Sequence, residues 1–179
     1  SGKSITAMSL MGLLPKQEES VQASRLDFDG QSLIPFDEKR FRALRGKEIG
    51  MVFQDPMSAL NPSMRCGKQI KEVIALHSSL PKKDHQAHLH SLLEKVKLQD
   101  PKSMAKRYPH QLSGGQQQRV LIAMAIACQP KLMIADEPTT ALDPEVQENI
   151  MALLKSIKKE SKMSIVLISH DLNMIHRWA

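Results

Sequence analysis

The sequence predicts an α/β fold in which helices cover a largely parallel sheet and a small all-helical subdomain is inserted into the core. Two short apolar segments, Leu132–Ala135 and Ser164–Ile168, have the composition of buried strands, and a helix-like segment follows each of them. Parallel strands need such crossover helices, so this alternation indicates a parallel sheet. Apolar residues at helical spacing between residues 64 and 108 predict the inserted subdomain.

Length and composition exclude several classes of protein. The 179 residues suffice for one domain with an insertion, and 41% hydrophobic with 25% charged residues excludes a largely disordered chain. The formal net charge of +6 suits a nucleotide, a nucleic acid or an anionic membrane surface. An aromatic fraction of 3% argues against a stacking platform for single-stranded nucleic acid. Cys66 and Cys128 lie far apart without suitably spaced partners, so neither a disulfide framework nor a zinc site is indicated.

The other core elements follow from apolar spacing and from turn and capping residues. A first helix is predicted over Ile5–Leu14, ending at Pro15. Ser24–Phe28 is β-like and precedes a turn at Asp29-Gly30, while Glu48–Gln54 is predicted to be a buried strand. Later helices are predicted over Gly115–Ala127, from the N-cap Asp143 with Pro144 at the first helical position, and from about Asp171.

The chain opens with Ser1-Gly2-Lys3-Ser4, which matches the end of the phosphate-binding loop pattern G-x-x-x-x-G-K-[S/T]. In such a loop Gly2 lets the backbone approach the phosphates, Lys3 reaches the β- and γ-phosphates, and the Ser4 hydroxyl binds Mg²⁺. The helix that follows would present its N-terminus to the same anion. Four residues alone also fit a chance Gly-Lys-Ser sequence, so the interpretation depends on the rest of the chain.

Two carboxylates follow the apolar strand that begins at Leu132. Asp136 and Glu137 would lie at the C-terminal edge of the sheet, where α/β proteins bind ligands. We expect Asp136 to join the coordination of Mg²⁺. Glu137, pointing the other way along the strand, would orient or deprotonate a water that attacks the γ-phosphate. The alternative is an acidic helix cap or surface loop, which the phosphate-loop residues in the same chain disfavour.

The segment Leu112–Arg119 (LSGGQQQR) predicts a helix whose N-terminus binds an anion. Ser113 and Gln116 have the spacing of a capping box, so a helix should start here. Gly114 and Gly115 cost helix stability, up to ~1 kcal/mol each, which is understandable if some group must approach the backbone closely. The first turn of this helix would suit an anion, because it presents bare amides and a hydroxyl and contains no acidic side chain. A plain glycine-rich turn is the alternative.

Two more polar residues lie where predicted strands end. His170 could donate a hydrogen bond to a γ-phosphate oxygen, although a cap residue is the ordinary interpretation of such a histidine. Gln54 could contact Mg²⁺ or the attacking water, and alone it indicates little. Exposed helix positions, rather than metal ligation, are predicted for His85, His88 and His90.

Taken together, these residues closely resemble the nucleotide-binding subunit of an ABC (ATP-binding cassette) transporter, which implies a P-loop NTPase core with an inserted helical subdomain. Within the family, Phe53–Pro62 (FQDPMSALNP) and Tyr108–Gln111 (YPHQ) are similar to the oligopeptide/dipeptide/nickel importer subfamily. The motifs run in family order: a Walker A end at Gly2–Ser4, a Q-loop at Gln54, the LSGGQ signature at Leu112–Gln116, Walker B at Leu132–Asp136 with Glu137 after it, a D-loop at Ala141–Asp143 and an H-loop at His170.

The resemblance implies that two cassettes pair head to tail, with ATP between the Walker motifs of one and the signature of the other. Glu137 would be the catalytic base and His170 the γ-phosphate sensor, with Gln54 beside them. The other implied roles are phosphate binding by Ser1, Gly2, Lys3, Ser4, Ile5 and Thr6, coordination of Mg²⁺ by Ser4, Gln54 and Asp136, completion of the partner's site by Ser113, Gly114, Gly115 and Gln116, and a link between the two sites through Asp143.

The function that the resemblance implies is ATP hydrolysis that drives uptake of dipeptides, oligopeptides or a related solute. The implied partners are a second cassette, identical or different, two integral membrane permease subunits and, indirectly, an extracytoplasmic solute-binding protein, with no nucleic acid. The implied location is peripheral, at the cytoplasmic face of the inner membrane. The implied organisation is a partial P-loop core over 1–62, the helical subdomain over 63–111, and the signature, Walker B, D-loop and H-loop part of the core over 112–179.

Two other function classes remain as alternatives. A cassette ATPase acting on nucleic acid or ribosomes is compatible with the positive charge, but residues 54–112 contain no sustained heptads, zinc cysteines or arginine-rich arm. A non-catalytic regulatory cassette is disfavoured because Glu137 and His170 are both present.

The chain departs from the family pattern at its ends. The adenine-stacking aromatic residue, the first strands and the first half of the phosphate loop would precede Ser1, and the subfamily usually continues beyond Ala179. We therefore expect residues 1–179 alone to bind ATP poorly or not at all and to be inactive.

Overall fold

The computed structural model describes residues 2–14, 23–140 and 142–178. Ser1, Pro15 and Ala141, which belong to predicted features, lie outside these residues. In chain order the elements are α1 (Lys3–Leu10), β1 (Asp27–Phe28), β2 (Gln31–Ser32), α2 (Glu38–Leu44), β3 (Ile49–Val52), α3 (Pro56–Ala59), α4 (Cys66–His77), α5 (His85–Lys95), α6 (Pro101–Lys106), α7 (Gly114–Ala125), β4 (Leu132–Asp136), α8 (Pro144–Glu160), β5 (Ser164–Ile168) and α9 (Leu172–Trp178), with short 3-10 helices at Lys82–Asp84 and Pro109–Gln111.

The sheet that holds the candidate site is parallel, with the strand order β3-β4-β5. Ile134 in the middle of β4 pairs with Met51 of β3 on one side and with Val166 of β5 on the other. Helix α8 connects β4 to β5, and the helices α3–α7 lie between β3 and β4 in the chain. The predicted α/β fold with a parallel sheet is therefore confirmed.

The ends of several predicted elements need correction. The strand predicted over Glu48–Gln54 is only Ile49–Val52, so Gln54 follows the strand rather than ending it. The first helix begins at Lys3 and ends at Leu10, not at Pro15. Gly12 adopts φ +60°, and the N–H of Leu13 donates to the carbonyl of Met8 at 2.8 Å, which is the Schellman arrangement that closes a helix.

The β-like segment before Asp29 forms a very short hairpin. Asp27 pairs with Ser32 and Phe28 with Gln31, so the strand predicted from Ser24 is confined to its last two residues. Asp29 and Gly30 have φ values of +50° and +74°, as a two-residue hairpin turn requires. The turn predicted at these two residues is confirmed.

The helices α4, α5 and α6 pack against one another and against α7. Ile70, Ile74, Leu89 and Leu93 are fully buried between them and belong to the same apolar cluster as Val120 of α7 and Met133 of β4. The helical segment therefore shares one core with the sheet. The domain boundaries at 62/63 and 111/112 stay a prediction.

The three histidines predicted at exposed helix positions are half-buried, and each has a neighbour. His85 Nε2 lies 2.9 Å from the Leu80 carbonyl oxygen, and His90 Nε2 lies 2.8 Å from Gln86 Nε2. His88 Nε2 lies 2.7 Å from the Ala127 carbonyl oxygen, just beyond α7. Within the described ranges, no group of three or more His, Cys, Asp or Glu side chains could hold a metal ion.

Helix α8 crosses from β4 to β5 and is amphipathic. Its buried face includes Ile150, Leu153, Leu154 and Ile157, as their spacing predicts. The helix has 17 residues, and within the part of the chain that the structure describes no helix combines the length and apolarity needed to cross a membrane.

Asp143 caps the N-terminus of α8, as predicted. Its Oδ1 accepts a hydrogen bond from the Val146 N–H at 3.0 Å, and Pro144 occupies the first turn. We expect Asp143→Ala to lower the free energy of unfolding by about 1 kcal/mol, because one orphan amide loses its acceptor. Thermal unfolding of the intact protein measures this loss. Asp143→Asn keeps a cap acceptor and is the matched control, and equal destabilisation by both variants would contradict the capping role.

Candidate functional site

The polar residues predicted to act together follow the three parallel strands at their carboxyl ends. Gln54 comes two residues after β3, Asp136 and Glu137 lie at the end of β4, and His170 comes two residues after β5. Because the strands are parallel, these ends share one edge of the sheet, which is the usual ligand edge of α/β folds.

The Glu137 carboxylate is the centre of this cluster, and three polar atoms from different segments converge on its Oε2. Gln54 Nε2 donates to this oxygen at 3.2 Å and Thr140 Oγ1 donates at 2.9 Å. His170 Nδ1 lies 3.0 Å from the same oxygen. The Glu137 side chain is 13% exposed, whereas that of His170 is 62% exposed.

Lys3, in the first turn of α1, extends its side chain to the Glu137 carboxylate. Its Nζ donates to the Ser169 carbonyl oxygen at 2.9 Å and lies 3.8 Å from Glu137 Oε1. Helix α1 packs on the sheet through Ala7, which is fully buried with Ile134 of β4. The packing of one helix on one strand thus places the lysine of the predicted phosphate loop beside the predicted base.

The electrostatics of the cluster favour the ionised form of Glu137. The Thr140 hydrogen bond is the largest influence, and with His170 and Lys3 it holds the pKa of Glu137 below its usual range, against the opposing effect of partial burial. The carboxylate is therefore held in its ionised form, in which both oxygens act only as hydrogen-bond acceptors.

Asp136 fits a divalent cation better than any other group at this edge. Its side chain is buried, with 4% exposure, and its Oδ1 has no hydrogen-bond partner among the described residues. Burying a carboxylate oxygen without a hydrogen-bond partner costs free energy, unless a bound ligand takes the place of that partner. Hard cations such as Mg²⁺ bind oxygen ligands. Ser4, half-buried in the first turn of α1, and the Gln54 amide oxygen supply the same donor chemistry.

The predicted direction of the Glu137 side chain rests on strand alternation, and this reason is wrong. Strand β4 ends at Asp136, and Glu137 adopts φ +47°, so strand alternation no longer decides where its side chain points. Its N–H donates to the Ile168 carbonyl oxygen at 2.8 Å, which ties the turn to the end of β5. A left-handed residue at the edge of a sheet is a strained position of the kind found at functional sites.

The Ser113–Gln116 turn starts helix α7 with the predicted capping box. Ser113 Oγ accepts a hydrogen bond from the Gln116 N–H at 3.3 Å, and Gln116 Oε1 accepts one from the Ser113 N–H at 3.1 Å. The first turn contains no acidic side chain. The amide of Gln116 is thus already paired, whereas those of Gly114 and Gly115 have no hydrogen-bond partner among the described residues.

The two glycines of this turn are packed against the protein's own chain, which corrects part of the prediction. A methyl group added at Gly115 would lie 2.6 Å from Val146 Cγ1, and one added at Gly114 would lie 3.2 Å from Leu142 Cδ2. The group that approaches this backbone closely is therefore the start of α8. In the described part of the chain, no hydrogen bond or ion pair joins this turn to the cluster around Glu137.

The comparisons with known protein families show which family the chain belongs to. The family model described as ABC transporter matches residues 1–140, most of the chain. The chain belongs to the ABC transporter family. The predicted resemblance to this family is thereby confirmed, while the roles of the individual motif residues stay a prediction.

Two curated relatives that match this chain are transport ATP-binding proteins. The oligopeptide transport ATP-binding protein OppD of Bacillus subtilis (strain 168) is 46% identical over 175 residues, which are 98% of this chain and 49% of OppD. The dipeptide transport ATP-binding protein DppD of Escherichia coli (strain K12) is 48% identical over 175 residues, 98% of this chain and 53% of DppD. The chain spans about half the length of the curated relatives it matches.

Solved cassettes of the family share the fold. The structure of cbiO1 from Clostridium perfringens, part of the ABC transporter complex cbiONQ, has a TM-score of 0.81 at 29% identity, covering 99% of this chain and 66% of that one. A dimeric ATP-binding cassette in a post-hydrolysis state, bound to ADP and Pi, has a TM-score of 0.77 at 29% identity, covering 96% of this chain and 71% of that one.

The structure thus separates the predicted site residues of this ABC cassette into groups. Lys3, Gln54 and His170 each contact Glu137, and Asp136 precedes Glu137 in the chain. Gly2 is the N-cap of α1, and Ser4, Ile5 and Thr6 lie in its first turns; Ser1 lies outside the described residues. The residues that stand apart from this cluster are Ser113, Gly114, Gly115 and Gln116 of the signature and Asp143 of the D-loop.

Sequence reasoning missed two residues of the site, Thr140 and Ser169. Thr140 donates to Glu137, and Ser169 offers its carbonyl oxygen to Lys3. A hydroxyl residue three positions after the acid, in a segment with the composition of a turn, is the sequence signal that could have indicated Thr140. The role of Ser169 is a backbone contact and leaves no such signal.

Proposed function

We propose that the protein containing this chain hydrolyses ATP as the cassette subunit of an importer. One observation supports this most directly: an ionised Glu137 lies at the carboxyl edge of the sheet within reach of Lys3, Gln54 and His170. Phosphoryl transfer to water needs positioning and charge stabilisation, with a group that orients the water. This cluster supplies a base, a cation and hydrogen-bond donors at one place.

Each residue has a defined part in this proposal. Gly2 to Thr6 and Ser1 hold the phosphates at the N-terminus of α1, with Lys3 leaving the Ser169 carbonyl to meet the β- and γ-phosphates. Glu137 orients the water and takes its proton, and His170 contacts the γ-phosphate. Ser4, Gln54 and Asp136 hold Mg²⁺, which neutralises phosphate charge when bound.

The signature turn serves a second cassette in the proposed assembly. Ser113, Gly114, Gly115 and Gln116 present a helix N-terminus without acidic side chains, which suits the triphosphate held by a partner cassette. Asp143, which caps α8 next to this turn, links the two sites. The solved dimeric cassette bound to ADP and Pi supports this pairing.

The substrate class and the membrane partners come from the relatives. OppD and DppD are transport ATP-binding proteins for oligopeptides and dipeptides, so we propose uptake of peptides through two permease subunits and a solute-binding protein. The protein would lie at the cytoplasmic face of the inner membrane, without a nucleic-acid partner.

The test measures ATP hydrolysis by the intact protein in membrane vesicles with its permease subunits. We expect turnover that requires Mg²⁺, disappears with a chelator, and rises when a peptide-loaded binding protein is added. DNA or RNA added instead should change nothing. Turnover that rises with nucleic acid, together with failure to purify with membrane subunits, would overturn the transport proposal in favour of an ATPase acting on nucleic acid.

A further inference from the structure

We propose that Thr140 is a positioning residue for hydrolysis: its hydroxyl anchors Glu137 through Oε2, so that Oε1 is the oxygen that receives the proton of the attacking water. The inference rests on the proposed function and assigns a role within the same site. It states which of the two carboxylate oxygens of Glu137 accepts the proton of the water, and which residue makes the surroundings of the two oxygens different.

The two carboxylate oxygens have very different surroundings. Oε2 is approached by Gln54 Nε2 at 3.2 Å, Thr140 Oγ1 at 2.9 Å and His170 Nδ1 at 3.0 Å. A carboxylate has about four lone-pair sites on its two oxygens, so the Gln54 and Thr140 donors already fill those of Oε2, and His170 adds a third donor when its Nδ1 carries a proton. Oε1 has Lys3 Nζ at 3.8 Å, which is beyond hydrogen-bonding distance, and no hydrogen bond to it is found among the described residues.

Thr140 is the donor that the chain itself holds in place. It lies three residues after Glu137 in the same turn, and its N–H donates to the Glu137 carbonyl oxygen at 3.3 Å. Gln54 and His170 come from the ends of other strands, and all three donor residues are exposed, so the distinction lies in the distance along the chain. His170 also needs a proton on Nδ1 to donate, whereas the threonine hydroxyl donates at any pH in which the protein functions.

The experiment compares Thr140→Val with Thr140→Ser in the intact protein, with kcat and the KM for ATP measured for each variant. In Thr140→Val we expect kcat to fall roughly tenfold, since the carboxylate is free to rotate. The KM for ATP should stay within about twofold, because the change acts on the base.

Thr140→Ser keeps the hydroxyl and should restore kcat. Thr140→Ala repeats the deletion without a branched side chain and serves if the valine variant unfolds, which thermal unfolding of each variant reports. An unchanged kcat in both hydroxyl deletions, or a serine variant that behaves like them, would overturn the inference. Glu137→Gln separates the two proposals: its inactivity together with an unchanged kcat in Thr140→Val defeats only the positioning role, whereas its full activity defeats the proposed function of Glu137.

Discussion

Glu137→Gln is expected to lower ATP hydrolysis by about 10²- to 10⁴-fold in the intact protein, the range typical for loss of a general base. Glutamine keeps the shape of the side chain and an oxygen that can still accept the Thr140 and Gln54 hydrogen bonds. It cannot take a proton from water. ATP binding should persist, since the phosphates contact the N-terminus of α1 rather than this carboxylate in the proposed site.

Single-turnover hydrolysis and equilibrium nucleotide binding measure the two effects separately. The matched control is Glu94→Gln on α5, an exposed glutamate, which should leave both quantities unchanged. Near-normal turnover in Glu137→Gln would remove Glu137 from the chemistry. Loss of ATP binding together with turnover would mean that the carboxylate shapes the site rather than acting as its base.

Gly115→Ala is expected to lower the free energy of unfolding by about 1–3 kcal/mol, the usual cost of adding a methyl group to a filled space. The new methyl would meet Val146 Cγ1 at 2.6 Å, and the branched valine in the first turn of α8 has little rotamer freedom to move away. Denaturant unfolding of the intact protein measures the loss.

Gly114→Ala is the matched control one residue earlier. Its methyl would lie 3.2 Å from the end of the flexible Leu142 side chain, so the cost should be small or offset by the better helix propensity of alanine. Val146→Ala removes the obstructing methyl, and the double variant Gly115→Ala/Val146→Ala should be more stable than the sum of the single losses predicts. Additive losses would show that the contact with Val146 is not what requires glycine at position 115.

The sheet and its helices could be predicted from the sequence because their signals are local. Apolar strands such as Ser164–Ile168 and the N-cap at Asp143 are set by neighbours in the chain, and the structure confirms both. The helix end predicted at Pro15 is wrong, because the left-handed Gly12 closes α1 two residues after its last residue, Leu10.

The site could be predicted only in part. Residue types at family spacing indicated Lys3, Gln54, Glu137 and His170, and parallel strand order brings these residues together. The orientation of Glu137 could not be predicted, since it depends on a positive φ and on Thr140 three residues later. The close neighbours of the signature glycines could not be predicted either, because the contact between α7 and the start of α8 is tertiary.

The contact between Gly115 and Val146 also connects the signature turn to the segment that begins at Glu137. The segment from Glu137 to Val146 is short, with its own turn at one end and a capped helix start at the other. In the proposed pair of cassettes, one end of this segment would contact the protein's own nucleotide. The other end would support the signature turn, which would contact the nucleotide of the neighbouring cassette. In the proposed assembly we therefore expect a change at one nucleotide site to be transmitted to the other.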